Sequence, residues 1–263
     1  MLSRRIREHA AKLNWLGIVV DFVIVVIGVF LGMQASNWNE SRADAQRGEQ
    51  YRQRLIEDLA ANEEDFRQRI VYYRQVHDLG YSTLKELRRQ GSADPVTFLT
   101  EAFKAANIFP RSTQRATYQE ILSAGAMSSL GEESIRRRIM TYYAGLDMTD
   151  RTTQSWPPYR DRLRSIMPYE IQQAIITDCP EEDREDDQGR PDVFLNASCR
   201  PKLDFTQASR AVAQISATPG LQADLTRSII DADQKIAQFQ SMQRNARELR
   251  VLLERKTLST SQS

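Results

Sequence analysis

Four groups of residues have types and spacings that bear on chemistry. Ser82-Thr83-Leu84-Lys85 matches the Ser-x-x-Lys pattern, in which helical spacing lets a lysine take the proton of a serine hydroxyl. The companion Ser-Asp-Asn and Lys-Thr-Gly motifs are missing, and two fixed positions recur easily by chance. Glu181, Glu182, Asp183, Glu185, Asp186, Asp187 and Asp192 supply oxygens that calcium would accept, but Gly189 falls one place late for an EF-hand loop. They read as a solvated acidic loop. Arg136-Arg137-Arg138 and Arg160, Arg162 and Arg164 have the donors for phosphate contacts. Consecutive arginines point around a helix, so these read as solvated surface. The fourth group is Asp21, an ionisable residue inside an otherwise apolar run.

No Gly-x-Ser-x-Gly, His-Glu-x-x-His, glycine-rich phosphate loop or dinucleotide fingerprint occurs. The reading is non-enzymatic, with no catalytic, cofactor-binding or metal-ligating residue assigned. Only His77 joins the two cysteines beyond the first segment, which argues against a sulfur–nitrogen metal site.

Composition narrows the class further. Among 263 residues, 41% are hydrophobic and 27% charged, with a formal charge of +1. That excludes a disordered or collagen-like chain and a nucleic-acid binder acting by bulk charge. The mean hydropathy is negative, which excludes a polytopic transporter but leaves room for one span.

That span lies between Trp15 and Trp38, where Asp21 is the one ionisable residue. A helix over this stretch reaches roughly 34 Å at about 1.5 Å per residue. The hydrocarbon core of a bilayer is about 30 Å thick. Trp15 and Trp38 then sit at the two headgroup layers as interfacial anchors. Arg4, Arg5, Arg7 and Lys12 precede the span without an acid, whereas Glu40, Arg42, Asp44 and Arg47 cancel after it. The positive-inside rule therefore places residues 1–13 in the cytoplasm as a basic tail, 14–36 in the membrane and 37–258 outside the cytoplasm. Cleavage as a signal peptide would best follow Ala35, which puts bulky Met33 where a small residue is wanted. An uncleaved anchor is the better reading.

Gly17, Asp21, Val25, Gly28, Gly32 and Ala35 are three or four apart and share one stripe of that helix. Gly28-x-x-x-Gly32 is the small-residue spacing that lets two helix backbones approach in lipid. Asp21, costly in lipid, gains by facing a partner helix. The stripe reads as a helix-association face, its partner a second copy or another membrane protein.

Beyond the span the periodicity is helical. Leu55, Leu59, Phe66, Ile70 and Tyr73 follow a three–four repeat, with Asn62 in the gap. Gly80 and Gly91 read as breaks. Shorter helices are expected over 95–107, 114–124 and 132–143. Ser155 and Pro157 begin a helix reaching about Thr177, bent at Pro168. Asp204 with Gln207 resembles a capping box for 205–217. After Pro219-Gly220 a last helix runs over 221–256, with Leu225, Ile229, Ala232, Ile236, Phe239, Ala246, Leu249 and Leu253 in register. No stretch alternates with period two, so no sheet is expected. Residues 259–263 read as a disordered tail. The fold class is all-α: one membrane helix, then an elongated bundle whose long first and last helices lie antiparallel. Cys179 and Cys199 should pair in an oxidising compartment.

Residues 22–42, FVIVVIGVFLGMQASNWNESR, resemble the N-terminal signature of a family of bacterial single-pass membrane proteins known only as a domain of unknown function. Asp21, Gly28, Gln34, Asn37, Trp38, Asn39 and Glu40 occupy the places of its VVIG and NWNE-type pattern. Residues 116–143 resemble a second region of that family. The resemblance implies a single-pass anchor and a mostly helical extracytoplasmic domain, and it brings no catalytic residues. The expected role is a membrane-anchored scaffold or accessory protein whose partners are the bilayer and another membrane helix. A periplasmic small-ligand-binding module and an envelope-acting enzyme are the alternatives.

Overall fold

The computed structural model describes residues 15–89, 94–153 and 156–260, with side chains over 19–89, 94–153 and 156–255. The 1–13 segment, the side chain of Trp15, the surroundings of Gly17, the break at Gly91, the Ser155 cap and residues 261–263 lie outside that description. The fold is all-α. Helix α1 runs Trp15–Arg88, followed by α2 (Pro95–Lys104), α3 (Ala116–Ser123), a 3-10 turn (Ala126–Leu130) and α4 (Glu133–Thr153). Then come α5 (Pro158–Ile166), α6 (Tyr169–Asp178), strands β1 (Glu182–Glu185) and β2 (Pro191–Phe194), α7 (Phe205–Ser216) and α8 (Leu221–Thr260).

The chain forms two units, residues 1–51 and 52–263. In the first, every side chain from Val19 to Arg47 is exposed. The second holds the core, and its axis is the pairing of α1 with α8. Glu63 meets Arg247 and Arg250, Phe66 stacks on Phe239, the Lys235 ammonium lies over the Tyr73 ring, and His77 approaches Asp233. As the first number rises the second falls, so the two helices are antiparallel. The predicted stripe is the buried one: Leu55, Leu59, Phe66, Ile70 and Tyr73 on α1, and Leu225, Ile229, Ala232, Phe239, Ala246, Leu249 and Leu253 on α8. Ile236 is half-buried. Asn62 fills the gap in the repeat because its amide pairs both ways with the Gln114 backbone, donating at 2.8 Å and accepting at 2.6 Å.

Several boundaries differ from expectation for identifiable reasons. Gly80 does not break α1, which continues to Arg88. Helix α4 extends ten residues beyond Tyr143, because Leu146 and Thr149 keep the buried face going. Pro168 divides rather than bends, leaving α5 and α6 as separate helices with Met167 and Pro168 in extended backbone. At the start of α7, Asp204 Oδ1 accepts the Gln207 amide at 2.8 Å, the expected cap. Helix α8 runs on to Thr260.

The acidic segment is a correction. It forms a two-stranded antiparallel hairpin, with Glu182 opposite Phe194 and Glu185 opposite Pro191. Period-two alternation is absent because neither strand rests on an apolar face. Side chains of α1 hold the outer strand instead. Gln75 donates to Val193 O and accepts from Leu195 N, imitating a further strand. Arg67 donates to Asp192 and to Pro191 O. The acids are correspondingly partnered: Asp186 accepts the Gln188 and Arg190 amides and the Arg190 guanidinium.

Candidate functional site

The membrane-helix face follows from the α-helical backbone of α1. Asp21, Val25, Gly28, Gly32 and Ala35 are all exposed. A Cβ added to Gly28 or Gly32 would meet nothing within 4 Å. The whole apolar surface from Val19 to Met33 is likewise uncovered by protein, including Phe22, Phe30 and Leu31. One N-terminal helix is therefore long and apolar enough to cross a membrane. Trp38 is exposed beneath the Arg42 guanidinium, 5.8 Å from its ring centroid.

Cys179 and Cys199 stand at disulfide distance, with their Cα atoms 5.7 Å apart. They close the base of the β1–β2 hairpin. Cys179 is buried at the end of α6, and Asp178 beside it accepts the Lys202 amide at 2.8 Å.

The Ser-x-x-Lys residues are not brought together. Ser82 Oγ donates to Glu101 Oε2 at 2.7 Å, and the Lys85 ammonium lies over the Tyr81 ring. Ser82 is thus tied to α2 through the Glu101 carboxylate rather than to Lys85.

A second site was not visible as such in the sequence. The C-terminal end of α2, the inner face of α5, the end of α6 and residues 179–181 enclose a cavity of about 320 Å³. Lys104, Arg160 and Arg164 line it, together with Phe103, Ile108 and Ile176. The reading of Arg160 and Arg164 as solvated surface is corrected here: both are half-buried. Their spacing of four places them on one side of α5, next to the buried Tyr159 and Leu163. Arg162, on the other side, pairs with Asp224.

Each cation of the cavity spends one N–H on a neutral acceptor. Lys104 Nζ donates to Asn196 O at 2.8 Å, Arg160 Nη1 to Ala106 O at 2.7 Å and Arg164 Nη2 to Asn107 Oδ1 at 3.0 Å. The Nε groups of both arginines are buried and lack a hydrogen-bond partner among the described residues. Aromatic faces take part of the charge, Trp156 under Arg160 at 4.7 Å and Phe103 under Arg164 at 4.5 Å. At the lip, Glu181 Oε1 accepts from Tyr72 OH at 2.7 Å and from Asn107 Nδ2 at 3.0 Å.

The electrostatics agree with the geometry. Burial holds the Lys104 ammonium and the Arg160 guanidinium below their ordinary values, against the opposing pull of nearby acids. Burial brings Arg164 down to about 10, and the positive charge of Arg160 adds to it. The signal available in the sequence was a pair of arginines one turn apart beside an apolar stripe. Lys104, fifty-odd residues away, could be joined to them only by the fold.

No family model matches this chain, and neither does any curated protein or solved structure.

Proposed function

We propose that the chain is a single-pass protein of a bacterial inner membrane, with residues 1–13 in the cytoplasm and residues 37–258 in the periplasm, and that it serves as a scaffold or accessory subunit by pairing its membrane helix with another. The observation that carries this reading is the bare apolar surface of α1 from Val19 to Met33, too large to face water. The cationic flank at Arg4, Arg5, Arg7 and Lys12 supports the orientation. A cysteine pair at disulfide distance supports an oxidising compartment for the helical domain. The likeness of residues 22–42 and 116–143 to the single-pass family supports the same topology.

The partner face is the Gly17, Asp21, Val25, Gly28, Gly32 and Ala35 stripe, where open space above Gly28 and Gly32 admits a second backbone. The test is purification from gently solubilised membranes of the wild type beside Gly28→Leu and Asp21→Leu, with mass spectrometry and complex mass. A self-assembly or a second membrane protein, lost in both variants while insertion persists, is the expected result. Equal recovery from wild type and both variants overturns the association face. Labelling of an introduced cysteine at Ser123 by an impermeant reagent in whole cells only after the inner membrane is opened overturns the orientation.

A further inference from the structure

We propose that the cavity between α2, α5 and α6 binds a small oxyanion, a carboxylate or phosphate, attached to a short apolar body. Lys104, Arg160 and Arg164 hold the charged head, and Phe103, Ile108 and Ile176 meet the body.

Several other inward-drawn guanidinium groups of this chain are matched by acids. Arg67 pairs with Glu64 and Asp192, Arg69 with Asp65 and Asp150, and Arg250 with Glu63 and Glu254. At these three positions the inward-drawn guanidinium brings carboxylates with it, whereas the half-buried Arg136 donates to the Gly131 carbonyl. In the cavity three cations converge, and among the described residues none of them has a carboxylate at ion-pair distance. Glu181, the acid in the cavity wall, already has Oε1 occupied by Tyr72 and Asn107. Asn107 links Arg164 to Glu181 through its two amide atoms, which orients the guanidinium without neutralising it. Backbone carbonyls at the end of α2 explain one N–H of Arg160 and leave the others.

Guanidinium groups match oxyanions with paired N–H donors, and two of them with an ammonium favour a carboxylate or phosphate over a neutral ligand. The cavity volume of about 320 Å³ lies at the small end of ligand pockets, which run from about 300 to 1,000 Å³. Phe103 and the isoleucines make the remaining wall apolar, so a bare inorganic ion would leave part of it unused. The same headgroup chemistry is available from a soluble small acid and from an anionic lipid. This inference is independent of the association face on α1.

The test is isothermal titration of the full chain in nanodiscs of zwitterionic lipid, with inorganic phosphate, hexanoate and hexyl phosphate as probes and empty nanodiscs as blanks. Hexyl phosphate and hexanoate are expected to bind one per chain, and inorganic phosphate to bind at least about tenfold more weakly than hexyl phosphate. Arg160→Gln and Arg164→Gln should each weaken binding by about tenfold or more, since each removes a charge-assisted donor. Arg164→Lys should retain part of it. Ile176→Asp, a change at an exposed position, should weaken binding without threatening the fold. Arg137→Gln, on exposed α4 surface, should leave binding unchanged. Thermal melts establish that each variant is folded. Repeating the titration in nanodiscs containing phosphatidylglycerol separates the sources: competition identifies a lipid headgroup, and unaltered binding a soluble acid. Absence of heat with all three probes overturns the site. Unchanged binding by folded Arg160→Gln, Arg164→Gln and Ile176→Asp chains does so too, and equal affinity for phosphate and hexyl phosphate overturns the apolar contribution.

Discussion

A Cβ placed on Gly80 would lie 3.0 Å from Ile229 Cγ1, so the two longest helices touch backbone to side chain at this point. The glycine is there for close approach of α8, and the helix carries its propensity cost of about 1 kcal/mol to obtain it. Gly80→Leu should destabilise the domain by about 2 kcal/mol through overpacking. The double variant Gly80→Leu/Ile229→Ala should lose less than the two single variants added together. Strict additivity in denaturant titrations would show that the contact does not limit the helix spacing.

Cys179 and Cys199 fasten the end of α6 to the segment after β2, across a separation of 20 residues. A closed loop of this size contributes about 3 kcal/mol in the chain-entropy account. Cys199→Ser should therefore lower Tm, and a reductant should lower the wild-type Tm to a similar value. A wild-type Tm insensitive to reductant and equal to that of the variant would mean the thiols do not pair in the native protein.

Much of the architecture was legible because packing against a core enforces period 3.6. The α1 stripe from Leu55 to Tyr73 and the α8 stripe from Leu225 to Leu253 were readable one residue at a time, and their antiparallel pairing followed from there. What escaped was set by particular partners rather than by period. Gly80 was read as a break because the pattern cannot show that Ile229 arrives beside it. The hairpin was missed because Arg67 and Gln75, more than a hundred positions earlier in the chain, supply what an apolar strand face would have supplied. The cavity was missed for the same reason. Arg160 and Arg164 look like ordinary surface arginines until the end of α2 is laid against them.

Asp186 caps the hairpin turn, and its carboxylate is held down to about 2, first by the Arg190 guanidinium and then by the Arg190 and Gln188 amides. An ordinary aspartate titrates near about 3.9 in an unfolded chain. The folded value lies below the unfolded one, so this contribution is complete above about pH 4 and is lost as pH falls through about 2. Amide exchange at Gln188 and Arg190 should accelerate across that window relative to amides in the core. Asp186→Asn should accelerate it at neutral pH and remove the pH dependence. Protection that stays constant from pH 5 to pH 2 would refute the carboxylate's role.

Arg69 is 1% exposed and lies between two carboxylates, with Nε 2.7 Å from Asp65 Oδ2 and Nη1 3.7 Å from Asp150 Oδ1. The first contact is close but not aligned as a hydrogen bond, so the attraction there is chiefly ionic. Nη2 donates to Arg111 O at 2.9 Å, which ties the loop before α3 to α1. Burial already raises the Asp65 carboxyl, against the pull of Arg69 and Arg111. Arg69→Met leaves Asp65 and Asp150 facing each other without that cation, and removing one partner of a buried pair costs about 3 kcal/mol or more. In the variant the Asp65 carboxyl rises further above its unfolded value, so the penalty belongs to the ionised form. It is full above the folded value and disappears as pH falls toward about 4, where the unfolded carboxylate also takes its proton. Stability curves of wild type and Arg69→Met should therefore converge on acidification from pH 7. A difference that stays constant or widens would mean that the lost contact of the Arg69 guanidinium with the Phe66 and Phe239 rings, not unpaired acid charge, carries the cost.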